Sequence, residues 1–164
     1  MRESVIAIYP GSFDPVTNGH LDIIRRSRSV FDTVIVAVLQ NLEKKPLFSV
    51  QDRVQMLLEV TGGWDNVCVD SFSGLLVNYV LKKRAQVIVR GIRAVTDYEY
   101  EFQMALMNRR IESSIETIFM LPSAEYSYLS SSLVKEVYSL GGSVTGLVPA
   151  VVETRLGEFG RLGS

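Results

Sequence analysis

The stretch from Thr33 to Leu39, TVIVAVL, constrains this chain most. It is apolar or β-branched throughout and shows no alternation with polar residues. A strand made from it has no face suited to water and must be covered on both sides, which is the situation of a strand inside a parallel sheet. Parallel neighbours cannot be joined by a tight turn; they need a crossover, usually a helix. The preceding residues supply one: Val5 to Ile8 is a short β-branched run, Tyr9 to His20 is rich in turn formers, and Leu21, Ile24, Arg28 and Phe31 recur at helical spacing. Strand, turn, helix, strand is a βαβ unit.

The same alternation continues. Ser49 to Asp52 resembles a capping box opening a helix with Val50, Val54, Leu57 and Leu58 on one face, ended by Gly62 and Gly63. A strand is expected over Val67 to Phe72, a helix over Leu75 to Lys83, and a strand over Gln86 to Val89 that runs into Arg90, Gly91, Ile92 and Arg93. Further on come a helix over Thr96 to Arg110, a strand over Ile115 to Leu121, a serine-rich cap opening another helix, and a last helix with Pro149 in its first position. Neither a repeat nor a linker interrupts the pattern. The expected fold is a single doubly wound, Rossmann-like α/β domain over residues 1–164, with a five-stranded parallel sheet and right-handed crossovers. The glycine-rich end, Gly157 to Ser164, is expected to fray.

Charged residues make up 21% of the chain and its net charge is −1, so no broad basic surface for nucleic acid is indicated. One cysteine and one histidine cannot form an intrachain disulfide or a structural zinc site. Cys68, between Val67 and Val69, is expected to be a small buried hydrophobe. No apolar run approaches the roughly 20 residues of a membrane helix, and no signal pattern precedes the first strand. A reducing, cytoplasmic setting is expected.

In this fold class ligands sit beyond the carboxyl ends of the strands, near the switch in strand order. Four segments of unusual composition fall there: Pro10 to His20, the loop with Lys44, Arg90 to Arg93, and Tyr126 to Ser132. Asn18 is the expected N-cap of the first helix, placing Gly19 and His20 in a turn whose free N–H groups and dipole favour phosphate. Neither GxxxxGK[ST] nor a GxGxxG after a strand is present. Lys44, Arg90 and Arg93 supply cations instead, and Ser130 to Ser132 supply caps and phosphate donors rather than nucleophiles. The set suits phosphoryl or nucleotidyl transfer, in which positioning and charge stabilisation do most of the catalysis. Arg90, directly after Val87 to Val89, must find a partner or reach a cleft. Tyr98, Phe102 and Met104 are read as core or subunit contacts, and Glu99 and Glu101 as a solvated helix face.

Thr17-Asn18-Gly19-His20 resembles the TxGH-type signature of the nucleotidylyltransferase superfamily, and Ser130 to Ser132 resemble its downstream serine motif. YPGSFDPVTNGH, KKPLF, VRGIRAVTDYEYEFQMALMNR and YSYLSSSLVKE, in this order, are similar to bacterial phosphopantetheine adenylyltransferases up to about Pro149. The resemblance implies transfer of AMP from ATP to 4′-phosphopantetheine with Mg²⁺, giving dephospho-coenzyme A and pyrophosphate, by a homohexamer; coenzyme A is implied as a feedback ligand. By position, Ser12, Phe13, His20, Gly91, Ile92, Arg93, Glu101, Tyr126, Ser127, Tyr128, Leu129, Ser130, Ser131 and Ser132 would hold ATP. Ser12, Lys44, Leu76 and Arg90 would contact phosphopantetheine, and His20, with Lys44 and Arg93, would stabilise the transition state. No residue is assigned to the metal. The acceptor is itself an ionised phosphate, which agrees with the lack of a general-base dyad. Another small nucleotidylyltransferase, such as one acting on nicotinamide mononucleotide, and a non-catalytic ATP or coenzyme A sensor are the alternatives.

Overall fold

A computed structural model describes residues 3–41 and 45–162. Five strands, β1 (Ile6–Gly11), β2 (Thr33–Leu39), β3 (Val67–Phe72), β4 (Val87–Gly91) and β5 (Glu116–Met120), alternate with α1 (Asn18–Ser27), α2 (Val50–Thr61), α3 (Leu76–Lys82) and α4 (Val95–Ile111). After β5 come a short 3₁₀ turn at Ala124–Tyr126, α5 (Ser131–Ser139) and α6 (Ala150–Leu162). All pairings are parallel and the strand order is β3-β2-β1-β4-β5. The chain thus winds outward from β1 in one direction, then returns beside it through β4. The switch in strand order falls between β1 and β4.

The sheet opens at that switch. On one side β1 stays in register with β2 as far as Gly11 opposite Val38, whereas its pairing with β4 ends at Ile8 opposite Ile88. Meanwhile β4 remains paired with β5 to Gly91 opposite Met120. The carboxyl ends of β1 and β4 therefore diverge and leave a crevice, and β1 reaches three residues past the expected Ile8.

Period-two alternation sends side chains to both faces. Ala7, Tyr9, Val34, Val36, Val38, Val87 and Val89 pack into one core with Ile23 and Ile24 of α1, Met56 and Leu57 of α2, and Val152 and Leu156 of α6. Ile8, Ala37 and Ile88 join Val77 and Val80 of α3 in the other. Both faces of β2 are covered, as its composition requires.

Three expectations, at Leu58, Cys68 and Pro149, are corrected. Leu58, placed on the inner face of α2, is exposed, and Met56 is buried instead. Cys68 is exposed, because β3 is an edge strand with incomplete cover. Beyond Gly157, α6 runs on to Leu162, with Phe159 edge-on to Phe48 at 5.1 Å. At Gly160 an added Cβ would sit 2.9 Å from the Tyr138 hydroxyl, so tertiary packing, not helix propensity, explains that glycine. Pro149 precedes α6 by one residue, and its carbonyl accepts from Val152 and Glu153. Among the described residues no helix is long and apolar enough to cross a membrane.

Candidate active site

The crevice between β1 and β4 deepens into a cleft of about 320 Å³. Its walls come from the loop after β1, the first turns of α1 and α5, the end of β4 and the start of α4.

Thr17, not Asn18, is the N-cap of α1. Its backbone is extended, its Oγ1 accepts from the His20 N–H at 3.3 Å, and its own N–H donates to His20 Nδ1 at 3.0 Å. The histidine is thus the third residue of a reciprocal capping box. Asn18 is drawn elsewhere: its N–H donates to the Leu147 carbonyl at 2.9 Å and its side-chain amide to the Gly146 carbonyl at 2.8 Å. Of the first three N–H groups of α1, those of Asn18 and His20 have partners, and that of Gly19, which lines the cleft, has none among the described residues.

This box decides the chemistry of His20. With Nδ1 accepting a backbone N–H, the ring proton sits on Nε2, the nitrogen left for a ligand. Burial, reinforced by the charges of Arg93 and Arg90, lowers its pKa from 6.5 to about 4. At neutral pH His20 is an uncharged Nε2–H donor. Its ring rests edge-on against Phe13 at 5.0 Å, and Phe13 lies edge-on to Tyr9 at 5.4 Å. Phe13 is buried with φ at 48°, a conformation costly for a bulky residue and kept only where surroundings impose it. An added Cβ on Gly11 would come within 3.1 Å of the Phe13 ring, so glycine there leaves room for the ring that supports His20.

The depressed pKa has a consequence for stability. Above pH 6.5 neither folded nor unfolded His20 is charged, and this contribution is fully present. As pH falls toward 4 the unfolded chain takes up a proton that the folded chain does not, and stability is lost. Relative to about pH 7.5, wild type should lose about 2 kcal/mol more than His20→Gln by about pH 5. Urea unfolding of both proteins checks this; a difference independent of pH would show that His20 titrates normally.

Arg90 and Arg93 approach from β4. Both oxygens of Glu101 accept from Arg90, from Nε at 2.7 Å and Nη2 at 2.6 Å, and Nη1 donates to the Pro10 carbonyl at 3.1 Å, spanning the open switch point. Burial disfavours the Arg90 charge, but Glu101 more than offsets this and holds its pKa above the ordinary value. Arg93 donates from Nη1 to the Leu129 carbonyl at 2.9 Å and from Nε to Asp97 at 3.2 Å, tying the end of β4 to the 126–132 loop. The chain leading into that loop is anchored from α1, where buried Asp22 accepts from the Ser123 N–H at 2.9 Å. Burial raises the Asp22 pKa, but hydrogen bonds from Ser123 and Arg25 and the Arg26 charge together bring it below the ordinary value.

Ser130 caps α5 by accepting from the Leu133 N–H, as its composition suggests, and the Ser131 hydroxyl donates to the Pro15 carbonyl at 2.7 Å. The amino ends of α1 and α5 are thereby fixed on one space.

Of the residues selected from sequence, Ser12, Phe13, His20, Arg90, Gly91, Arg93, Glu101, Tyr126, Leu129 and Ser130 to Ser132 line this cleft. Four do not. Ile92 is buried and continues the ladder to β5 through the Met120 carbonyl; Ser127 and Tyr128 lie exposed outside it; Leu76 packs at the start of α3 against the second core. Lys44 lies outside the described residues. Glu101 is a partner of Arg90 rather than part of a solvated face. Sequence reasoning passed over Thr17 as the cap, Asp97, Asp22 and the buried Arg53. Arg53 carried a signal, since it stands one turn before Leu57 on the inner face of α2.

A family model described as Cytidylyltransferase-like matches residues 8–137, the span from β1 through most of α5. The phosphopantetheine adenylyltransferase of Clostridium novyi (strain NT) is 54% identical over 96% of this chain and 98% of its own length. Those of Desulfosudis oleivorans (strain DSM 6200 / JCM 39069 / Hxd3) and Geotalea daltonii (strain DSM 22248 / JCM 15807 / FRC-32) are 56% and 57% identical, over 93% and 92% of this chain and 91% and 94% of theirs. Identity of this order over nearly the full length, together with a cleft built at the switch point from a TxGH capping box and a serine cap, establishes that the chain belongs to the phosphopantetheine adenylyltransferase family.

Proposed function

We propose that the chain transfers the adenylyl group of ATP to 4′-phosphopantetheine, giving dephospho-coenzyme A and pyrophosphate. The observation that supports this most is the meeting, in one cleft, of two helix amino ends, two arginines and a neutral histidine donor, with no base among the described residues positioned to activate a nucleophile. An ionised phosphate acceptor requires none. Its oxygen forms a new bond to the α-phosphorus, the bond to the bridging oxygen breaks, and the electron pair leaves with pyrophosphate. The protein's task is to hold two anions together and stabilise charge as it shifts.

In this reading Ser12, Phe13, Gly91, Arg93 and the 126–132 loop hold ATP, Ile92 and Glu101 supporting them from behind. Ser12, Lys44, Leu76 and Arg90 receive the acceptor phosphate and its arm, and His20 donates Nε2–H to the α-phosphate as charge develops. Among the described residues no group of three or more His, Cys, Asp or Glu could hold a metal, and Asp97 and Glu101 are committed to arginines. The donor set fits Mg²⁺ that arrives on the phosphates, as is usual for this ion, where it would neutralise part of their charge.

We also propose a hexamer working in the cytoplasm. Tyr98, Phe102, Met104, Leu106 and Met107 are all exposed on α4, an apolar surface suited to other copies of the chain.

The deciding experiment is pyrophosphate release with ATP, Mg²⁺ and a panel of acceptors. Phosphopantetheine should be the preferred acceptor. Preference for nicotinamide mononucleotide would identify a different nucleotidylyltransferase, and ATP binding without release would identify a sensor.

A further inference from the structure

Side chains of α1 reach across to the segment that leaves β5. The Asp22 side chain is 1% exposed, and its Oδ2 accepts from the Ser123 N–H at 2.9 Å. Arg26, one turn further on, places Nη1 3.6 Å from that same oxygen and donates to the Leu121 carbonyl. Arg25 Nη2 holds the other carboxylate oxygen of Asp22 at 3.0 Å, and Ser27 Oγ meets Met120 Sδ at 3.2 Å. The pairing of β5 with β4 ends at Met120, so beyond it the sheet no longer holds the chain, and α1 takes over. The segment is gripped at Leu121 and at Ser123, on either side of Pro122.

Pro122 itself lines the cleft, whereas Asp22, Arg25 and Arg26 lie outside its wall. The two ends of the cleft differ in kind. The amino ends of α1 and α5, with His20 and the serines, present N–H and O–H donors suited to phosphates. Pro122, Ile23, Tyr126 and Leu129 present flat or apolar walls suited to an aromatic base. A proline ring has a fixed φ, and its position is therefore set by the backbone before and after it. A buried carboxylate is costly unless paired and hydrogen-bonded; Asp22 is both, and the group that its second oxygen holds is the backbone of this wall.

We infer that Asp22, assisted by Arg26, is a positioning residue for the base of the nucleotide, fixing the Pro122 wall from behind without touching the substrate. The inference rests on the adenylyl-transfer reading above. The same helix carries His20 two residues before Asp22, so one rigid element sets the span between the donor to the α-phosphate and the wall against the base.

The test sorts the four reactants by whether they carry adenine, using steady-state kinetics in both directions on the full-length protein. ATP and dephospho-coenzyme A carry it; phosphopantetheine and pyrophosphate do not. Asp22→Ala should raise KM for ATP and for dephospho-coenzyme A about tenfold, the loss of one hydrogen bond to a charged group, with KM for phosphopantetheine and pyrophosphate within about twofold. Asp22→Asn, whose amide oxygen can still accept from Ser123, should recover most of the affinity for ATP. Arg26→Met, at a side chain 43% exposed, should raise the same two KM values about threefold, since one of the two anchors remains. Should Asp22→Ala fail to fold, Arg26→Met decides alone. Four KM values that rise together, none that rises, or no recovery in Asp22→Asn would give these residues a role in stability only and overturn the inference. Wild-type protein that releases no pyrophosphate would instead overturn the functional reading beneath it.

Discussion

His20→Ala is expected to lower kcat for adenylyl transfer by about 10²- to 10³-fold, roughly 3 to 4 kcal/mol, the scale of losing one preorganised donor to a developing oxyanion. The magnitude follows from how the imidazole is held. Thr17 N–H fixes the tautomer through Nδ1, Phe13 fixes the ring plane, and burial with two neighbouring arginines keeps the ring neutral. Nothing has to reorganise when charge appears on the α-phosphate. The substitution also removes one half of the capping box, at a cost of about 1 kcal/mol in stability, so turnover must be compared at temperatures where both proteins are folded. KM for phosphopantetheine should change little, because the interaction strengthens only in the transition state. Near-normal turnover by a folded His20→Ala protein would remove this residue from the mechanism.

The fold was legible wherever a local pattern had a single physical solution. Thr33 to Leu39 and Val67 to Phe72 form strands over the spans expected, the first because an apolar and β-branched run of that length has no face suited to water. Most of the cleft was legible for a related reason: loops at the carboxyl ends of parallel strands converge whatever their details. What escaped depended on distant partners. Thr17 and Asn18 are both good caps, and the choice is made by carbonyls at Gly146 and Leu147, far along the chain. Arg53 is an arginine in an apolar stripe, and two of the four carbonyls that make it tolerable, those of Ser12 and Leu39, come from strand ends that meet it only in the folded sheet. Cys68 is exposed because of strand order, which its neighbours in sequence do not encode. On α4, Tyr98, Phe102 and Met104 could be read as core or as subunit contacts, and their exposure takes them out of the chain's own core.

Glu101→Gln is the second large effect expected, a loss of about 2 kcal/mol in stability together with weakened phosphopantetheine binding. The Arg90 side chain is 31% exposed and that of Glu101 is 12% exposed. Breaking a fully buried pair costs roughly 3 to 5 kcal/mol, and water at the cleft reduces that figure here. Glutamine can still accept one hydrogen bond, but the guanidinium loses its counter-charge and its two-point grip. The consequence should extend past stability, because Arg90 also bridges to the Pro10 carbonyl where β1 and β4 part, so a freed guanidinium no longer defines that side of the crevice. A double variant, Arg90→Met with Glu101→Leu, separates the roles. Replacing both charges by apolar side chains of similar size should restore most of the stability, while KM for phosphopantetheine should remain at least about tenfold raised, because the charge proposed to meet the acceptor phosphate is gone. Denaturant unfolding and steady-state kinetics on the three proteins give the comparison. If the double variant recovers both stability and acceptor affinity, the pair is a structural clamp, and Arg90 has no part in binding the substrate.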